Sequence, residues 1–401
     1  MEKNTYAHIP NTIIIWGIDN FNTLGLLRQL GSAGLNLLFL IYGKKTGCAT
    51  SSKYCTEYVE YSDLDDAFLF LKRRFSNKSN KPIIVTPGDE IIEYIDQHRI
   101  EMLEYFIVPG TTTPGRLTEL DKKINMAFFA RKHGIPIPES RMFRWDSSVE
   151  GINYPCFLKP SHITKNKKNE FKFKKCETEK QLMRAMRYVR HDSEFLLQEY
   201  IPVEKEFVIS GCRTMDGRTI IGGCYKTERY ADDGNSSYAF LTSDIPACID
   251  VEKIRSFLED MDYYGVFGFE YGYYNGIAYF FEINFRNNGT SQSYFLANSN
   301  LTLAWVLSAA GCDYTTVSTT VSGDNFFIDE LMDYSNVLHG RLSHKTWKAD
   351  KARANIMKYY NEDDMQPYIV MKRRRWKDML RFAVLKRFRI YIVYFMDMFK
   401  K

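Results

Sequence analysis

The chain has 401 residues, of which 45% are hydrophobic and 15% aromatic, enough for two or three packed units with buried cores. No run approaches the roughly 20 apolar residues of a membrane-spanning helix, and no apolar stretch precedes the first strand, so we expect a protein that is neither exported nor transmembrane. The eight cysteines include no CxxC pair, which favours reduced thiols and a cytoplasmic location.

The overall charge of +5 is unevenly distributed along the chain. Residues 371–401 carry eleven Lys or Arg against two Asp, so that the preceding residues are net acidic. On a helical wheel most apolar side chains of this tail fall on one side, as in helices that lie at a membrane interface. We therefore expect a C-terminal extension, 326–401, whose tail docks peripherally on the anionic inner face of a membrane; packing against the acidic body of the same chain is the alternative. Nucleic acid is not expected as a partner, because no recognisable reading module accompanies the basic residues.

Residues 1–112 are predicted to form a parallel α/β layer. Its first part has the pattern of a strand, a helix and a strand, at residues 12–17, 21–30 and 35–41. A further strand and turn at 82–88 precede a helix that is predicted to begin at Glu90 and to be capped by Asp89. The glycines of this layer do not complete a GxGxxG pattern, so a dinucleotide-binding fingerprint is absent.

The pattern after residue 112 is that of an α+β region. An amphipathic helix from Leu120 is stopped by Gly134, which is followed by two prolines. Strands then alternate with two helical patterns, near 178–191 and 250–263. An α+β unit therefore follows the parallel layer.

A predicted hairpin centred on the Asn-Gly pair at 275–276 carries a group of oxygen ligands. The two-residue period of a strand puts Glu282, Asn284 and Arg286 on one face of its second strand, and the hairpin brings Glu270 across from them. Two carboxylates and an amide oxygen suit Mg²⁺, and an arginine beside them can bind a phosphate through two hydrogen bonds. A solvated hairpin face with one ion pair is the alternative.

Two upstream segments are compatible with nucleotide binding. Lys159 ends an apolar strand and would present a point charge to phosphate oxygens. Residues 195–206 form a second apolar strand that continues into an extended linker, where backbone groups could bind an adenine edge and Glu206 could accept from ribose hydroxyls. Each segment is weak support when taken alone.

The order and spacing of these segments resemble the ATP-grasp superfamily over about residues 1–310. The xDK helix of the family matches Leu120 to Lys122, its G-I/V-P-x-P turn matches Gly134 to Pro138, and its iiKP strand matches Lys159. The qEyI hinge matches Gln198 to Ile201. The metal pattern, E followed by ExNxR, matches Glu270, Glu282, Asn284 and Arg286. The spacing of the two acids is that of the biotin carboxylase and carbamoyl phosphate synthase branches. The resemblance implies an ATP-grasp fold, with a pre-ATP-grasp α/β domain at 1–112 and an ATP-grasp domain at 113–325. Its small lobe would span about 140–198 and its large lobe about 199–310.

The same resemblance implies ATP with Mg²⁺, or Mn²⁺ in its place, as cofactors. Residues expected to bind the nucleotide are Lys122, Lys159, Gln198, Glu199, Tyr200, Ile201, Glu206 and Lys226. Those expected to bind the metal are Glu270, Glu282 and Asn284, and those expected to act in catalysis are Lys159, Arg286 and Asn287. Arg229 is an alternative to Lys226 at the triphosphate, and Asn288 and Ser291 are expected beside Asn287 at the activated carboxylate.

One segment departs from the family pattern. Members usually place a Gly-rich, flexible phosphate loop just after the second lysine, whereas residues 161–175 contain no Gly. We expect Lys165, Lys167 and Lys168 to supply charge there in place of backbone N–H groups. A solvated surface loop is the alternative.

The resemblance implies an enzyme that forms a C–N bond in two steps. A carboxylate attacks the γ-phosphate of ATP to give ADP and an acyl phosphate, and an amine or ammonia then displaces phosphate. The expected partners are a small-molecule carboxylate and an amine, and a cell-envelope or lipid-linked substrate would agree with the basic tail. A nucleotide-binding regulatory protein with the same fold and little turnover is the alternative, favoured by the Gly-free loop.

Overall fold

Three sheets organise the chain in the computed structural model. The described residues are 9–76, 79–120, 122–160, 173–187 and 194–377. They form a four-stranded parallel sheet, an eight-stranded mixed sheet and a four-stranded antiparallel sheet. Within these residues, no helix has both the length and the apolar character that crossing a membrane requires.

The N-terminal unit is a parallel sheet with helices packed on it. Its elements are β1 (Ile13–Gly17), α1 (Phe21–Gly31), β2 (Leu37–Tyr42), β3 (Tyr58–Tyr61), α2 (Leu64–Phe75), β4 (Ile83–Val85), α3 (Asp89–Gln97), α4 (Arg99–Tyr105) and β5 (Gly110–Thr111). The sheet has the order β3, β2, β1, β4. In β1, Ile13 and Ile15 pack into one apolar cluster and Ile14 and Trp16 into another. Because both faces are covered, the strand is apolar throughout, and the predicted strand, helix and strand are confirmed.

A buried carboxylate fixes the loop that follows β2. Asp19 is 2% exposed. It accepts hydrogen bonds from the backbone N–H groups of Thr46 (2.6 Å), Gly47 (2.7 Å), Ala49 (2.5 Å) and Thr50 (3.1 Å), and from the Thr50 hydroxyl (2.8 Å). Burial alone would raise the pKa of Asp19, but hydrogen bonds from Thr50, Thr46 and Gly47 outweigh it and hold the pKa below its ordinary value. The ionised form of Asp19 therefore stabilises this loop.

Replacing this carboxylate by an amide is expected to destabilise the protein. Asp19→Asn keeps the shape but leaves one oxygen to accept the donors, so the free energy of unfolding should fall by about 2 kcal/mol near pH 7. Since the folded-state pKa is lowered, the contribution of ionised Asp19 is present above the unfolded-state pKa and is lost as the pH falls through the folded-state pKa. Urea unfolding at pH 7 and pH 3.5 should show a smaller difference at the lower pH. The exposed Asp324→Asn is the control, and equal stability of Asp19→Asn and wild type at pH 7 would refute this role.

Helix α3 begins one residue earlier than predicted. Its first residue is Asp89, and Gly88, which has an extended backbone, occupies the N-cap position without any side-chain capping bond. The prediction that Asp89 caps a helix beginning at Glu90 is therefore wrong. The carboxylate of Asp89 is instead bound to Arg286, which lies two residues beyond the end of the distant strand Ile277–Asn284.

A small antiparallel sheet follows, which we call the small sheet. The elements of this region are α5 (Arg116–Leu120), α6 (Lys123–Lys132), β6 (Ser140–Phe143), β7 (Cys156–Pro160), β8 (Lys174–Cys176), α7 (Glu179–Met186) and β9 (Phe195–Glu199). The strand order is β6, β9, β7, β8. The helix predicted from Leu120 begins instead at Lys123, and Leu120 is the last residue of α5. The chain reverses after α6 at Gly134, whose φ of 68° lies in the left-handed region, as the sequence predicted.

The mixed sheet, which we call the large sheet, provides the long hairpin. Its first elements are β10 (Lys205–Arg213), β11 (Thr219–Tyr230), β12 (Ser236–Thr242), α8 (Val251–Met261), β13 (Tyr263–Tyr274) and β14 (Ile277–Asn284), followed by α9 (Ser291–Leu296) and α10 (Leu301–Ala309). Asn275 and Gly276 have φ values of 48° and 84°. A two-residue turn with both φ values positive matches the twist of the strands that it joins, so the predicted hairpin is confirmed.

Three aromatic side chains of β13 share one face of this hairpin. Phe267, Phe269 and Tyr271 of β13 are buried in a cluster with Phe257 of α8. A bulge between Glu270 and Tyr271 shifts the register with β14, an irregularity that the two-residue period did not predict. The intervening positions of β13 therefore face away from this core.

The C-terminal segment completes the large sheet and returns to the N-terminal unit. Its elements are β15 (Asn325–Ile328), α11 (Ser335–Leu338), α12 (His344–Arg353), β16 (Ile356–Met357) and α13 (366–377). The sheet order is β14, β13, β10, β11, β12, β15, β16, with β5 also pairing with β13. Of the basic tail, 371–377 lies in α13, and 378–401 lies outside the described residues.

A buried ion pair joins this segment to α1. Arg28 and Asp364 have side chains that are each 1% exposed, with Nε of Arg28 2.9 Å from Oδ2 of Asp364. Arg28 also donates to the carbonyl oxygens of Tyr359 and Asp364, each at 2.9 Å. The Ser52 hydroxyl donates to the same carboxylate at 2.8 Å. The last part of the described chain is thereby attached to the first sheet.

Candidate active site

Two carboxylates face each other on the outward face of the hairpin. Glu270 of β13 is directly opposite Glu282 of β14, and Asn284 lies two residues further along the same face. The Nδ2 of Asn284 donates to Oε1 of Glu270 at 2.8 Å, which leaves the amide oxygen of Asn284 available to a ligand. The structure thus brings together the three residues that were predicted to bind metal, and we refer to these three as the metal-binding group on the basis of that prediction.

The electrostatics of this group suit a divalent cation. Burial and the nearby charge of Glu282 raise the pKa of Glu270 to about 7, against the opposing effects of Asn284 and Arg286. A bound cation would relieve the repulsion between the two acids. Among the described residues, no group of three or more His, Cys, Asp or Glu side chains could hold a metal. A set of two carboxylates and one amide oxygen leaves positions for water and phosphate oxygens, which is the coordination that Mg²⁺ prefers.

Arg286 extends the same face but already has a partner. Its Nη2 donates to Oδ2 of Asp89 at 2.8 Å, its Nε donates to the other oxygen of that carboxylate, and its Nη1 donates to the carbonyl oxygen of Asn287 at 3.3 Å. The Arg286 side chain is 13% exposed, whereas that of Asp89 is 75% exposed. The sequence did not indicate this pairing. It places the first turn of α3 beside the metal-binding group.

Asn287 is buried in a polar network rather than exposed at a turn. It is 3% exposed, its N–H donates to the carbonyl oxygen of Thr86 at 3.3 Å, and its Nδ2 donates to the hydroxyls of Thr302 (2.6 Å) and Ser291 (3.0 Å). Gln29 of α1 joins this network through Ser291 and Thr302. The predicted neighbours Asn287 and Ser291 therefore contact each other. Gln29 is a member that sequence reasoning missed.

Asn288 lies over the outward face of β13. A Cβ added to Gly268 would be 2.1 Å from the amide nitrogen of Asn288, so only glycine leaves room for this side chain. The amide oxygen of Asn288 accepts from the N–H (3.1 Å) and the hydroxyl (2.7 Å) of Thr290. Asn288 is thus held in place beside the metal-binding group.

Lys159 lies on the small sheet, at the end of β7. Its Nζ is 2.6 Å from Oε1 of Gln198, whose Nε2 in turn donates to the Ser140 hydroxyl at 3.0 Å. Gln198 is buried, at 5% exposure. Two of the predicted nucleotide-binding residues therefore contact each other, and Gln198 holds the lysine at the strand end. The metal-binding group is on the other sheet.

The predicted hinge joins the two sheets. The backbone N–H groups of Glu199 and Tyr200 donate to the carbonyl oxygens of Glu139 (2.8 Å) and Pro155 (3.3 Å), so these two donors are used within the small sheet region. Ile201 is buried at the start of the linker. At its far end, Glu206 accepts a hydrogen bond from the Tyr230 hydroxyl. Glu206, the acid predicted to bind ribose, therefore lies at the start of the large sheet.

Two further predicted cations differ in their availability. The Nζ of Lys226 is 2.6 Å from Glu228, in a half-exposed ion pair. Arg229, the alternative, donates to both oxygens of the buried Asp333, at 2.7 and 2.8 Å, and to Asp350 at 2.7 Å. Its guanidinium is therefore part of the packing of the C-terminal segment, which favours Lys226 for a nucleotide.

Lys122 is exposed, between α5 and α6, and lines a cleft of about 50 Å³ together with Asp89 and Glu93 of α3. Lys122 therefore lies near Asp89, the carboxylate that is bound to Arg286. Asp121 of the same motif, and Lys165, Lys167 and Lys168 of the Gly-free loop, lie outside the described residues.

Comparisons with known proteins agree with this geometry. Residues 128–292 match the family described as the ATP-grasp domain. The D-aspartate ligase of Enterococcus faecium is 25% identical over 321 residues, which cover 73% of this chain and 74% of that protein. The N5-carboxyaminoimidazole synthetase of Staphylococcus aureus complexed with ADP has a TM-score of 0.62 at 14% identity, over 84% of this chain and 87% of that one. The L-amino acid ligase of Bacillus licheniformis has a TM-score of 0.57 at 14% identity, over 75% of each chain.

The domain match covers most of the candidate site, and the structural likeness extends beyond it. The matched residues, 128–292, contain the small sheet, the hinge and the hairpin with its paired carboxylates. The solved structures, which share little sequence, extend the likeness in fold to the N-terminal unit, because they cover three quarters or more of the chain. Residues 128–292 therefore match the ATP-grasp domain, and the chain has the ATP-grasp fold.

Proposed function

We propose that this protein is an ATP-dependent ligase that activates a carboxylate as an acyl phosphate and joins it to an amine, with release of ADP and phosphate. The observation that carries the proposal is the facing pair Glu270 and Glu282, with Asn284 on the same face of the hairpin and Arg286 two residues beyond the end of β14. Two acids held together in a half-buried place suit a metal-bound triphosphate. The similarity to a D-aspartate ligase and to an L-amino acid ligase supports ligation, and it makes amino acids the first carboxylates to test.

Each of the proposed site residues would make a different interaction with the reactants. Mg²⁺ held by Glu270, Glu282 and Asn284 would supply positive charge at the phosphates during transfer. Arg286 would bind the oxygens of the transferring group through its planar fork, and Lys159 would offer a point charge from the small sheet. No covalent enzyme intermediate is needed, because the protein positions reactants and neutralises charge.

The organisation of the chain follows from the same proposal. We assign a pre-ATP-grasp domain to 1–112, an ATP-grasp domain to 113–325 and a C-terminal extension to 326–401. Nucleotide would bind between the two sheets, with the hinge residues Gln198 to Ile201 at the base and Glu206 at the ribose. Lys122 and Lys226 would approach the phosphates from their exposed positions.

Nucleotide binding is the first test of this function. Calorimetric titration with a non-hydrolysable ATP analogue and Mg²⁺ should show one site per chain and a rise in thermal unfolding temperature, since a ligand that binds only the folded state stabilises it. ADP release should then be measured over D- and L-amino acids and dicarboxylates, with and without ammonia. The absence of heat and of thermal stabilisation at millimolar nucleotide would refute the proposal.

A second proposal concerns location: residues 371–401 dock the enzyme on an anionic membrane surface. The support is their basic and amphipathic sequence, together with the position of Trp376, which is 61% exposed on α13. Each Lys or Arg near an anionic surface contributes about 1 kcal/mol. A ligase with a lipid-linked substrate would gain from this position.

Flotation with vesicles that contain anionic lipid tests the docking. The full chain is compared with a version ending at Lys377, a boundary that keeps Tyr368 and Met371 packed on the core. Binding by the full chain should weaken between about 0.1 and 1 M salt, where the screening length falls from about 10 to 3 Å. The shortened version keeps Trp376 and five of the eleven basic residues of the tail, so it should bind more weakly than the full chain. Equal flotation of both, or of neither, would contradict the proposal.

A further inference from the structure

A small cavity lies on the outward face of β13, next to the paired carboxylates. Val266 lines it, and Gly268 lies between Val266 and Glu270 on the same face, since alternate residues of a strand share a face. At a rise of about 3.3 Å per residue, the cavity begins about 7 to 13 Å along the strand from Glu270. Arg286 borders the cavity on the side of the metal-binding group. The cavity is therefore a neighbour of the place where a transferring phosphate would lie.

One lining residue of this cavity, Asn287, has an acceptor without a partner among the described residues. The Thr302 hydroxyl donates to Oε1 of Gln29 at 2.8 Å, so its oxygen accepts from Nδ2 of Asn287 at 2.6 Å. Nε2 of Gln29 and Nδ2 of Asn287 both donate to the Ser291 oxygen, each at 3.0 Å. Because both hydroxyls bind the Nδ2 of Asn287, the Oδ1 of the same amide takes no part in this network. Within the part of the chain that the structure describes, no donor reaches that buried oxygen.

The chemistry of the cavity selects its ligand. A carboxylate offers only acceptors and cannot bond to the Oδ1 of Asn287, whereas an N–H group can. The cavity measures about 10 Å³, which is room for about one non-hydrogen atom. None of its lining residues is acidic, and Arg286 is its one charged lining residue, so a neutral amine is favoured over an ammonium ion.

We propose that this cavity is the subsite for the attacking nitrogen, which is that of ammonia or the terminal NH₂ of a primary amine, with Asn287 as the residue that positions it. The inference rests on the proposed ligase function. From the sequence, Asn287 was expected to contact the activated carboxylate. In this proposal it contacts the attacking nitrogen instead. Ser291 and Thr302 act through Asn287 by fixing the orientation of its amide.

The bond changes balance without a further reactant. The nitrogen lone pair attacks the acyl carbon, a C–N bond forms, and the bond from that carbon to the phosphate oxygen breaks. The nitrogen loses one proton, which leaves with the departing phosphate as hydrogen phosphate. The Asn287 amide is not a base; it holds one N–H so that the lone pair points toward the acyl phosphate.

The test separates activation of the carboxylate from use of the amine. Activation is followed without amine, by positional scrambling of ¹⁸O between the bridging and non-bridging positions of ATP in the presence of amino acids. Amide formation is then measured with ammonia, n-butylamine and N-methylbutylamine. Asn287→Ala removes the acceptor, and Val266→Leu fills the cavity without altering a polar group. Ser243→Ala is the control, because that hydroxyl is exposed and does not line the cavity.

For both test variants we expect the KM for amine to rise about tenfold or more while scrambling stays within about twofold of wild type. Ser243→Ala should behave as wild type. Ammonia and n-butylamine distinguish free ammonia from the amine of a larger molecule, and turnover of either supports the subsite. N-methylbutylamine should be rejected, because its additional methyl group has no room. If Asn287→Ala fails to fold, Val266→Leu decides the result alone.

Four results would overturn the inference. An unchanged KM for amine in both variants would mean that the cavity holds only a structural water. A parallel loss of scrambling and amide formation would make the variants general structural lesions. Equal use of the primary and the secondary amine would contradict the size of the site. If wild type shows no scrambling with any carboxylate tested, the proposed function fails, and the subsite fails with it.

Discussion

Glu282→Gln is expected to remove carboxylate-dependent ADP formation by about 100-fold or more while leaving the fold intact. The change deletes one negative charge from the metal-binding group without altering its shape. Glu282 is exposed and lies opposite Glu270, so its loss removes a repulsion in the free protein rather than a packing contact. The measurement is ADP release at saturating ATP and carboxylate, together with the Mg²⁺ concentration that gives half the maximal rate.

The control for this variant is Glu252→Gln, on the exposed side of α8, where the acid is 81% accessible. It should match wild type in both rate and thermal unfolding. Wild-type turnover by Glu282→Gln would show that the metal-binding assignment is wrong. A lower unfolding temperature together with the lost rate would instead indicate damage to the hairpin.

Arg286→Lys is expected to lower kcat by about 100-fold, because a lysine keeps the charge but cannot form two parallel hydrogen bonds. Arg286 is held on both sides, by the carboxylate of Asp89 and by the carbonyl oxygen of Asn287. The lysine side chain is more flexible, and its single ammonium group could not keep both of these contacts in one plane. The KM for ATP should change by less than about fivefold, since the hinge and Lys159 are untouched.

Asp89→Asn is the matched variant for this position. It retains the shape of the partner and weakens the charge attraction to Arg286, so its effect on kcat should remain below about tenfold. A rate for Arg286→Lys within about threefold of wild type would show that the guanidinium does not touch the reacting group. A larger loss for Asp89→Asn than for Arg286→Lys would make the aspartate the principal residue of the pair.

The hairpin was predictable because its determinants are local. An Asn-Gly pair requires two positive φ values, and the two-residue period fixes which side chains share a face. These two rules placed Glu270, Glu282 and Asn284 together before any tertiary contact was known. The bulge after Glu270 was not predictable, because it depends on how β14 packs against β13.

The surroundings of the hairpin could not be predicted from the sequence. Asp89 is 197 residues from Arg286 along the chain, and an acid at the beginning of a helix is equally consistent with a capping role. Gln29 reaches Ser291 across 262 residues, from the last turn of α1. Contacts of this kind depend on how the parallel sheet docks on the large sheet. Local sequence patterns carry no information about that docking.

The buried pair of Arg28 and Asp364 has a consequence for synthesis of the protein on the ribosome. The two residues are 336 positions apart, so α1 emerges long before its partner is made. An arginine enclosed without its carboxylate costs about 3 to 5 kcal/mol, which is a large part of the stability of a typical domain. We therefore expect the N-terminal sheet to stay open around Arg28 until translation has passed residue 364. Limited proteolysis of stalled nascent chains should show protection of α1 only in the longest of them.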